Sequence, residues 1–311
     1  MMKQFFIIIL AALMLTACNH TEKQLRTRAA ELCKYIPDHE LLEQSKDYLT
    51  SDFYTVLDTM FHYLPEHEAM DHEWLYYFVT GNGGTIADYE VKSVEQTDPD
   101  HAVATILVRQ KWEDGSFDEE NDLEEHQLYM EKVNGVWLMS DFDQHKQDCI
   151  NYIANNRKEQ ALRDAISDYL VKEIGQHYST GDYCIPTLML AATEEQDAEH
   201  LLVWGDFRVM WYQLSGDTLK TLSGGNHAGC MNVEKQGDTF RVTAFEQTED
   251  GAGNEASAKR IFGTHYDIYH NMHSNENVRE AVRKEQLQEH THRYGIKAKY
   301  YQDFGWDAVA L

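Results

Sequence analysis

Apolar positions recur first at helical spacing, then at a period of two, and the chain runs through this sequence of periods twice. Across Thr21 to Lys34, Leu25, Ala29 and Leu32 fall on one helical face, and after the break at Pro37-Asp38 the residues Leu41, Leu42, Ser45, Tyr48 and Leu49 continue it. Phe53, Val56, Leu57, Met60, Phe61 and Leu64 form a further amphipathic face that stops at Pro65. Trp74 to Val79 predicts one more short helix before a loop at Gly81 to Gly84. From there Ile86 to Glu95, Ala102 to Trp112 and His126 to Phe142 have strand composition. Asn134-Gly135 readily takes the positive φ angles of a type I′ turn, which predicts a hairpin of Gln127–Val133 with Val136–Phe142.

The second half repeats the order. Gln144 to Arg157 leads into a helix marked by Leu162, Ile166, Tyr169, Leu170 and Ile174 and stopped near Gly175. Strand patterns follow at Ile185–Ala192, Leu201–Leu214, Thr218–Leu222, Met231–Lys235 and Thr239–Glu246, with a tight turn at Gly237-Asp238. Helical patterns return across Ser257–Phe262, His265–Met272 and Asn275–His292, and an aromatic, extended tail is expected to seal against the sheet. One similarity needs no gaps: EKVNGVWLMSDFDQ from Glu131 aligns with EKQGDTFRVTAFEQ from Glu234, and Asp47-Tyr48-Leu49 matches Asp168-Tyr169-Leu170 in what reads as each leading helix. The fold class expected is therefore α+β, in two related modules that each pack leading helices on a curved antiparallel sheet.

The first twenty residues change the picture of location. Lys3 precedes an unbroken apolar run from Phe5 to Leu15, within the length of a signal-peptide core and short of the ~20 residues that span a bilayer. Leu15-Thr16-Ala17-Cys18 then resembles the bacterial lipobox. That resemblance implies cleavage before Cys18, lipidation of its thiol, and a membrane partner held through acyl chains rather than a spanning helix. The expected organisation is residues 1–17 as signal peptide, 18–30 as lipid anchor and tether, 31–157 as a first α+β domain, and 158–311 as a second with C-terminal helices. The expected place is the bacterial cell envelope, lipid-anchored at the outer membrane on its periplasmic or surface face.

A formal charge of −26 argues against nucleic acid, which is bound by basic neutralisation of phosphates, and against the body of the protein lying on anionic lipid. With 42% apolar and 12% aromatic residues the chain has material for real cores, so the acidity belongs to its surface. Of five cysteines, four remain once Cys18 is acylated. In a simple meander Cys184 and Cys230 face positions about seven residues apart on the strand between them, far beyond the ~7 Å that a disulfide tolerates. A bridge between Cys33 and Cys149 stays open, with buried free thiols as the alternative.

Element order, with the pieces DYLTSDFYTVL and VNGVWLMSDFD, makes the first half resemble the uncharacterised NTF2-like or cystatin-like domains of bacterial envelope lipoproteins. The second half resembles an uncharacterised bacterial lipoprotein module through SGGNHAGCM, TEDG, SAKRIFG and YQDFGW. Neither resemblance implies a particular activity.

Candidate chemistry is scattered. His62, His67 and His72 stand among acids, but steps of five residues put successive side chains about 140° apart on a helix, which favours a solvated connector over a metal site. His270 and His273 lie one turn apart near His265 and could supply two metal ligands, against the plainer reading of a polar helix face. His290 and His292 are expected to favour the negative end of the last helix. Asp114 to His126 carries seven acids and reads as a solvated hairpin tip, since the calcium-loop spacing is missing. Ser223 to Gly229 reads as a binding loop, a bulge or a wide turn. Asp141 and Asp143 sit near a strand end where acid–base chemistry would place a carboxylate. No nucleophile motif, Walker loop or cofactor signature is present. The expectation is a non-catalytic module for a small ligand, a glycan or an envelope protein, without a cofactor. An NTF2-like enzyme using acid–base chemistry inside one cone, or a metal-binding lipoprotein, is the alternative.

Overall fold

The computed structural model describes residues 21–33, 42–61, 63, 84–112 and 124–311, and the chain divides into two compact units at Asn156/Arg157. The architecture is α+β with two sheets. Cys18, His62, His67, His72, the helix expected at Trp74–Val79 and most of the acidic tip lie outside the described residues. Among the described residues no helix is long and apolar enough to cross a membrane.

In the first unit, helix α1 covers residues 21–33 and α2 covers Ser51–Phe61. Strands β1 (Gly84–Gln96), β2 (His101–Trp112), β3 (Glu124–Val133) and β4 (Val136–Phe142) follow as an antiparallel meander in sequence order. The periods of the sequence are the periods of burial. Leu25, Ala29, Leu32 and Cys33 of α1, and Phe53, Leu57, Met60 and Phe61 of α2, enter one core with Ala102, Ala104, Ile106 and Val108, the alternate residues of β2. Leu25 and Ala29 belong to this core although they fall within residues 18–30, read from sequence as tether; their helical stripe needs a surface to bury against. Tyr48 and Leu49 are not helical. The Tyr48 carbonyl accepts from the Met139 N–H at 2.9 Å and the Thr50 N–H donates to the Met139 carbonyl at 2.8 Å, so this segment closes the free edge of β4.

The second unit takes over within helix α3 (His145–Tyr169), which continues through one π turn, Leu170–Ile174. Its strands are β5 (Tyr183–Glu195), β6 (His200–Ser215), β7 (Thr218–Gln236) and β8 (Thr239–Gln247), again an antiparallel meander. Helices α4 (Asn254–Phe262), α5 (Tyr266–Ser274) and α6 (Glu276–Arg293) precede a terminal pair, β9 (Tyr300–Gln302) and β10 (Val309–Ala310). The tail does seal the sheet: β9 runs parallel to the first residues of β7, on the edge away from β6, and β10 pairs with β9.

Both faces of this second sheet are covered. Leu162, Ile166, Leu170 and Ile174 pack on Leu188, Val203, Phe207 and Val209. The opposite face carries Trp204 and Cys230 under Ala258, Phe262 and Tyr269, and Ile185 and Tyr212 under Leu287. That double burial explains why LVWGDFRVMWY in β6 is nearly continuous in large apolar residues, as in a strand with no wet face.

The segment Ser223 to Gly229 is neither loop nor wide turn but the middle of β7, where the two strands expected at Thr218–Leu222 and Met231–Lys235 are one. Its glycines answer to close packing: a Cβ on Gly225 would overlap the Tyr178 hydroxyl, which meets His227 Nε2 at 2.9 Å. All four described cysteines are free thiols. Cys184 sits opposite Trp211 and Cys230 opposite Trp204, so seven residues of β6 separate them. Burial pushes the Cys33 and Cys149 thiols up to about 12.

Candidate functional site

At the end of β4 the two carboxylates flagged from sequence part company. Asp141 accepts from the N–H of Phe142 at 2.7 Å and of Lys146 at 3.0 Å, which seats the first turn of α3; burial nevertheless raises its carboxyl above the ordinary value. Asp143 has φ 48° and is followed by Gln144 at φ 64°, two non-glycine residues in the left-handed region. That turn aims the Asp143 carboxylate back at β3, where it accepts from the Gln127 N–H at 2.5 Å and meets His126 Nδ1 at 2.5 Å. Burial works against the ionised carboxyl, but these bonds outweigh it and hold Asp143 below its usual range. His126 is buried and stacked on Phe142 at 5.4 Å, and its Nε2 lies 3.7 Å from Glu124, beyond hydrogen-bond reach. Asp143 therefore fixes the ring of a histidine that shares the core-facing side of β3 with Leu128 and Met130.

The second unit does not gather His265, His270 and His273. His265 Nε2 meets Glu194 at 2.8 Å beside Trp204, His270 stacks on Tyr266 at 5.7 Å, and His273 Nδ1 meets the buried Asp206 at 2.7 Å. Their spacing along α5 sends each ring to a different neighbour. Among the described residues no three His, Cys, Asp or Glu side chains are placed to hold a metal ion. His290 also departs from expectation: burial and the nearby Arg293 lower its pKa, which opposes the charge that would serve the helix end.

A cleft of about 270 Å³ opens where α3 and α6 flank the outer strand β5. One wall is the α3 stripe of Gln160, Asp164 and Asp168, spaced four apart; the other carries Gln286, Glu289 and Arg293 of α6. Cys184, Pro186 and Leu188 of β5 supply the floor. Gln286 treats Leu188 as a neighbouring strand would, accepting from its N–H at 2.8 Å and donating to its carbonyl at 2.9 Å. Arg293 grips both oxygens of Asp164 at 2.6 and 2.7 Å, and that pairing holds the Asp164 carboxyl below its ordinary value. Burial pushes the Cys184 thiol up to about 11, which leaves it a weak nucleophile.

The third feature is the tip between β9 and β10. Phe304 is 97% exposed and Trp306 75%, on a turn closed by the Trp306 N–H to the Asp303 carbonyl at 3.1 Å and by Gln302 Nε2 to the Trp306 carbonyl at 2.8 Å. Behind it Asp303 takes a two-pronged contact, 2.7 and 2.8 Å, from Arg283, whose side chain is 1% exposed. Arg283 also donates to the Tyr212 hydroxyl at 3.2 Å and to Thr221 at 3.0 Å, under the ring of Tyr301. The guanidinium is the main cause that brings the Asp303 carboxyl down to about 2. Sequence reading passed over Arg283, yet a signal existed: it lies one helical turn before Leu287, on the buried phase of α6.

No family model and no curated protein matches the chain. Among solved structures it is similar to an NTF2-like protein involved in plasmid conjugation, with 9% identity and a TM-score of 0.21 over 73% of this chain and 98% of the other. A likeness that slight brings none of that protein's role to this chain.

Proposed function

We propose that this is a lipid-anchored envelope protein that binds a partner without catalysis, and that the tip carrying Phe304 and Trp306 makes the contact. One observation carries the reading: two large aromatic side chains stand in solvent on a turn held rigid from behind by a buried arginine. Aromatic anchors of this kind dominate binding surfaces, and a pre-ordered turn loses little entropy on docking. The filled helix-facing side of the first sheet, where Ile106, Val108, Leu128 and Phe142 are all fully buried, supports binding over chemistry in that unit. A protein or a glycan suits a convex aromatic tip better than a small ligand that needs enclosure. The NTF2-like enzyme reading rests on the His126–Asp143 pair, and that imidazole turns towards packed side chains.

The anchor rests on the Leu15–Cys18 motif and is tested by labelling cells with a fatty-acid probe. Label should appear on the wild-type chain and vanish from Cys18→Ser. For the tip, a photo-crosslinking side chain placed at Trp306 in intact cells should give one dominant adduct. An equal adduct pattern from the exposed Val278 would refute it.

A further inference from the structure

Strand β7 is longer than the strands that pair with its far edge. On one side β6 runs along it from Thr218 to Glu234, but on the other β8 covers only Gly229–Gln236 and β9 only Thr218–Lys220. The eight residues from Thr221 to Ala228 therefore edge a notch in the sheet, bounded by a strand at each end. The Thr248 N–H donates to the Ala228 carbonyl at 2.9 Å, so Ala228 turns its peptide groups to the notch side, and by alternation Asn226 and Gly224 do the same. Among the described residues neither Gly224 nor Asn226 has a backbone partner on that side. Asn226 and Leu222 are both exposed, as on an edge that no other segment covers. The turn bearing Phe304 and Trp306 leaves β9 just after Gln302, whose partner is Lys220, and so stands at one end of the notch.

Building on the tip as the partner contact, we propose that the notch receives an extended peptide segment of the partner protein as an added strand, while Phe304 and Trp306 hold apolar side chains at one end of the same segment. The recognition is of backbone by backbone: Gly224 and Asn226 each offer an N–H and a C=O at strand spacing, which an extended chain answers in kind. A glycan has hydroxyls but no such repeat of donor and acceptor. The two glycines at 224 and 225 add no side chains of their own, which leaves selectivity to Leu222 and the tip aromatics. A second copy of this chain fits poorly, because its strands lie within sheets and β5 alone is 13 residues long, too much to enter an opening of eight residues between two strands. At a net charge of −26 the surface favours a segment with basic flanks over an acidic one.

The probe is a displayed library of random peptides of about seven residues, the length that spans the notch at ~3.3 Å per residue, selected on the full chain. The strongest binder, synthesised, should slow hydrogen exchange at the Gly224 and Asn226 amides, and should lose affinity when N-methylated at alternate residues in one frame but not in the other. Asn226→Pro removes the outward N–H while Gly225 and His227 keep their bonds to β6, and it should weaken binding about tenfold or more. Asn226→Ala, which lacks the same carboxamide but keeps the N–H, should bind as wild type. The notch is overturned if no peptide is enriched, if the enriched peptide leaves both amides unprotected, if Asn226→Pro binds as wild type, or if Asn226→Ala loses as much as Asn226→Pro. Protection of the two amides that rises with protein concentration before any peptide is added would assign the edge to a second copy and overturn it as well. Binding lost in Trp306→Ala but intact in Asn226→Pro refutes the notch and leaves the tip standing; the reverse pattern refutes the tip and leaves the notch.

Discussion

The hairpins β3–β4 and β7–β8 are one design used twice, and the surroundings of each show what the second unit has added. The ungapped sequence match is also a match of register: Val133 pairs with Val136 as Gln236 pairs with Thr239, and Glu131 with Leu138 as Glu234 with Arg241. Each outer strand then slips by one residue at the same place. Ser140 is the extra residue in β4 and Thr243 in β8, so that Leu128 meets Phe142 and Met231 meets Phe245. Because of that bulge Met139 and Phe142 both face the core although three residues apart, where strict alternation would send one of them to solvent. The difference lies in cover. Phe142 is completely buried, whereas Phe245 is partly buried in an edge-to-face contact with Phe207 at 5.5 Å. A shared hairpin therefore fixes the backbone, while the neighbouring elements decide how much each aromatic is worth.

The sharpest test of that comparison is a matched pair. Phe142→Ala should destabilise the first unit by about 3–5 kcal/mol, the cost of emptying a fully packed site. Phe245→Ala should cost the second unit only about 1–2 kcal/mol, since less area leaves water there. Urea unfolding with residue-resolved hydrogen exchange reads the two separately, and equal losses would break the argument from cover.

Arg283→Met comes next. It leaves Asp303 without its partner, and because that carboxylate is 41% exposed the cost belongs at the low end for a broken buried pair, about 3 kcal/mol. Exchange protection should be lost first in β9. The same pair predicts an acid response confined to the second unit. The folded carboxyl of Asp303 lies at about 2, below its ordinary 3.8, so its contribution is complete above the ordinary value and is lost as the pH falls from there towards 2. Wild type should lose β9 protection across that window, and Arg283→Met should show a weaker pH dependence, carried by the remaining Thr221 hydrogen bond and the Arg208 charge.

How much of this could be read from the chain depends on the distance over which information travels. Helical stripes such as Leu25, Ala29 and Leu32, the Asn134-Gly135 turn and the repeated hairpin are local patterns, and each is where the sequence places it. The bulges are not legible, because nothing about Ser140 or Thr243 marks them as the extra residue. Nor are the pairings that make sites: Asp164 meets Arg293 across 129 residues, and Leu188 meets Gln286 across 98. The neighbours of His265, His270 and His273 are hidden for the same reason, since spacing along the chain says nothing about which side chain stands opposite each ring.

Two smaller effects complete the comparison. Gly135 and Gly237 have φ 82° and 62°, so Gly135→Ala and Gly237→Ala should each cost about 1 kcal/mol, one in each unit, by thermal unfolding. The Phe304→Ala change at the exposed tip should shift stability by less than about 0.5 kcal/mol while abolishing the adduct formed from the crosslinker at position 306.

The carboxamide of Gln286 carries a consequence for encounters between copies of this chain. By holding both peptide groups of Leu188, with Pro186 two residues away offering no N–H at all, α6 turns the outermost strand into a dead end for further strand pairing. Copies of the chain that meet in solution are thereby hindered from zipping together along that margin, and a single amide side chain does the work of a missing neighbour.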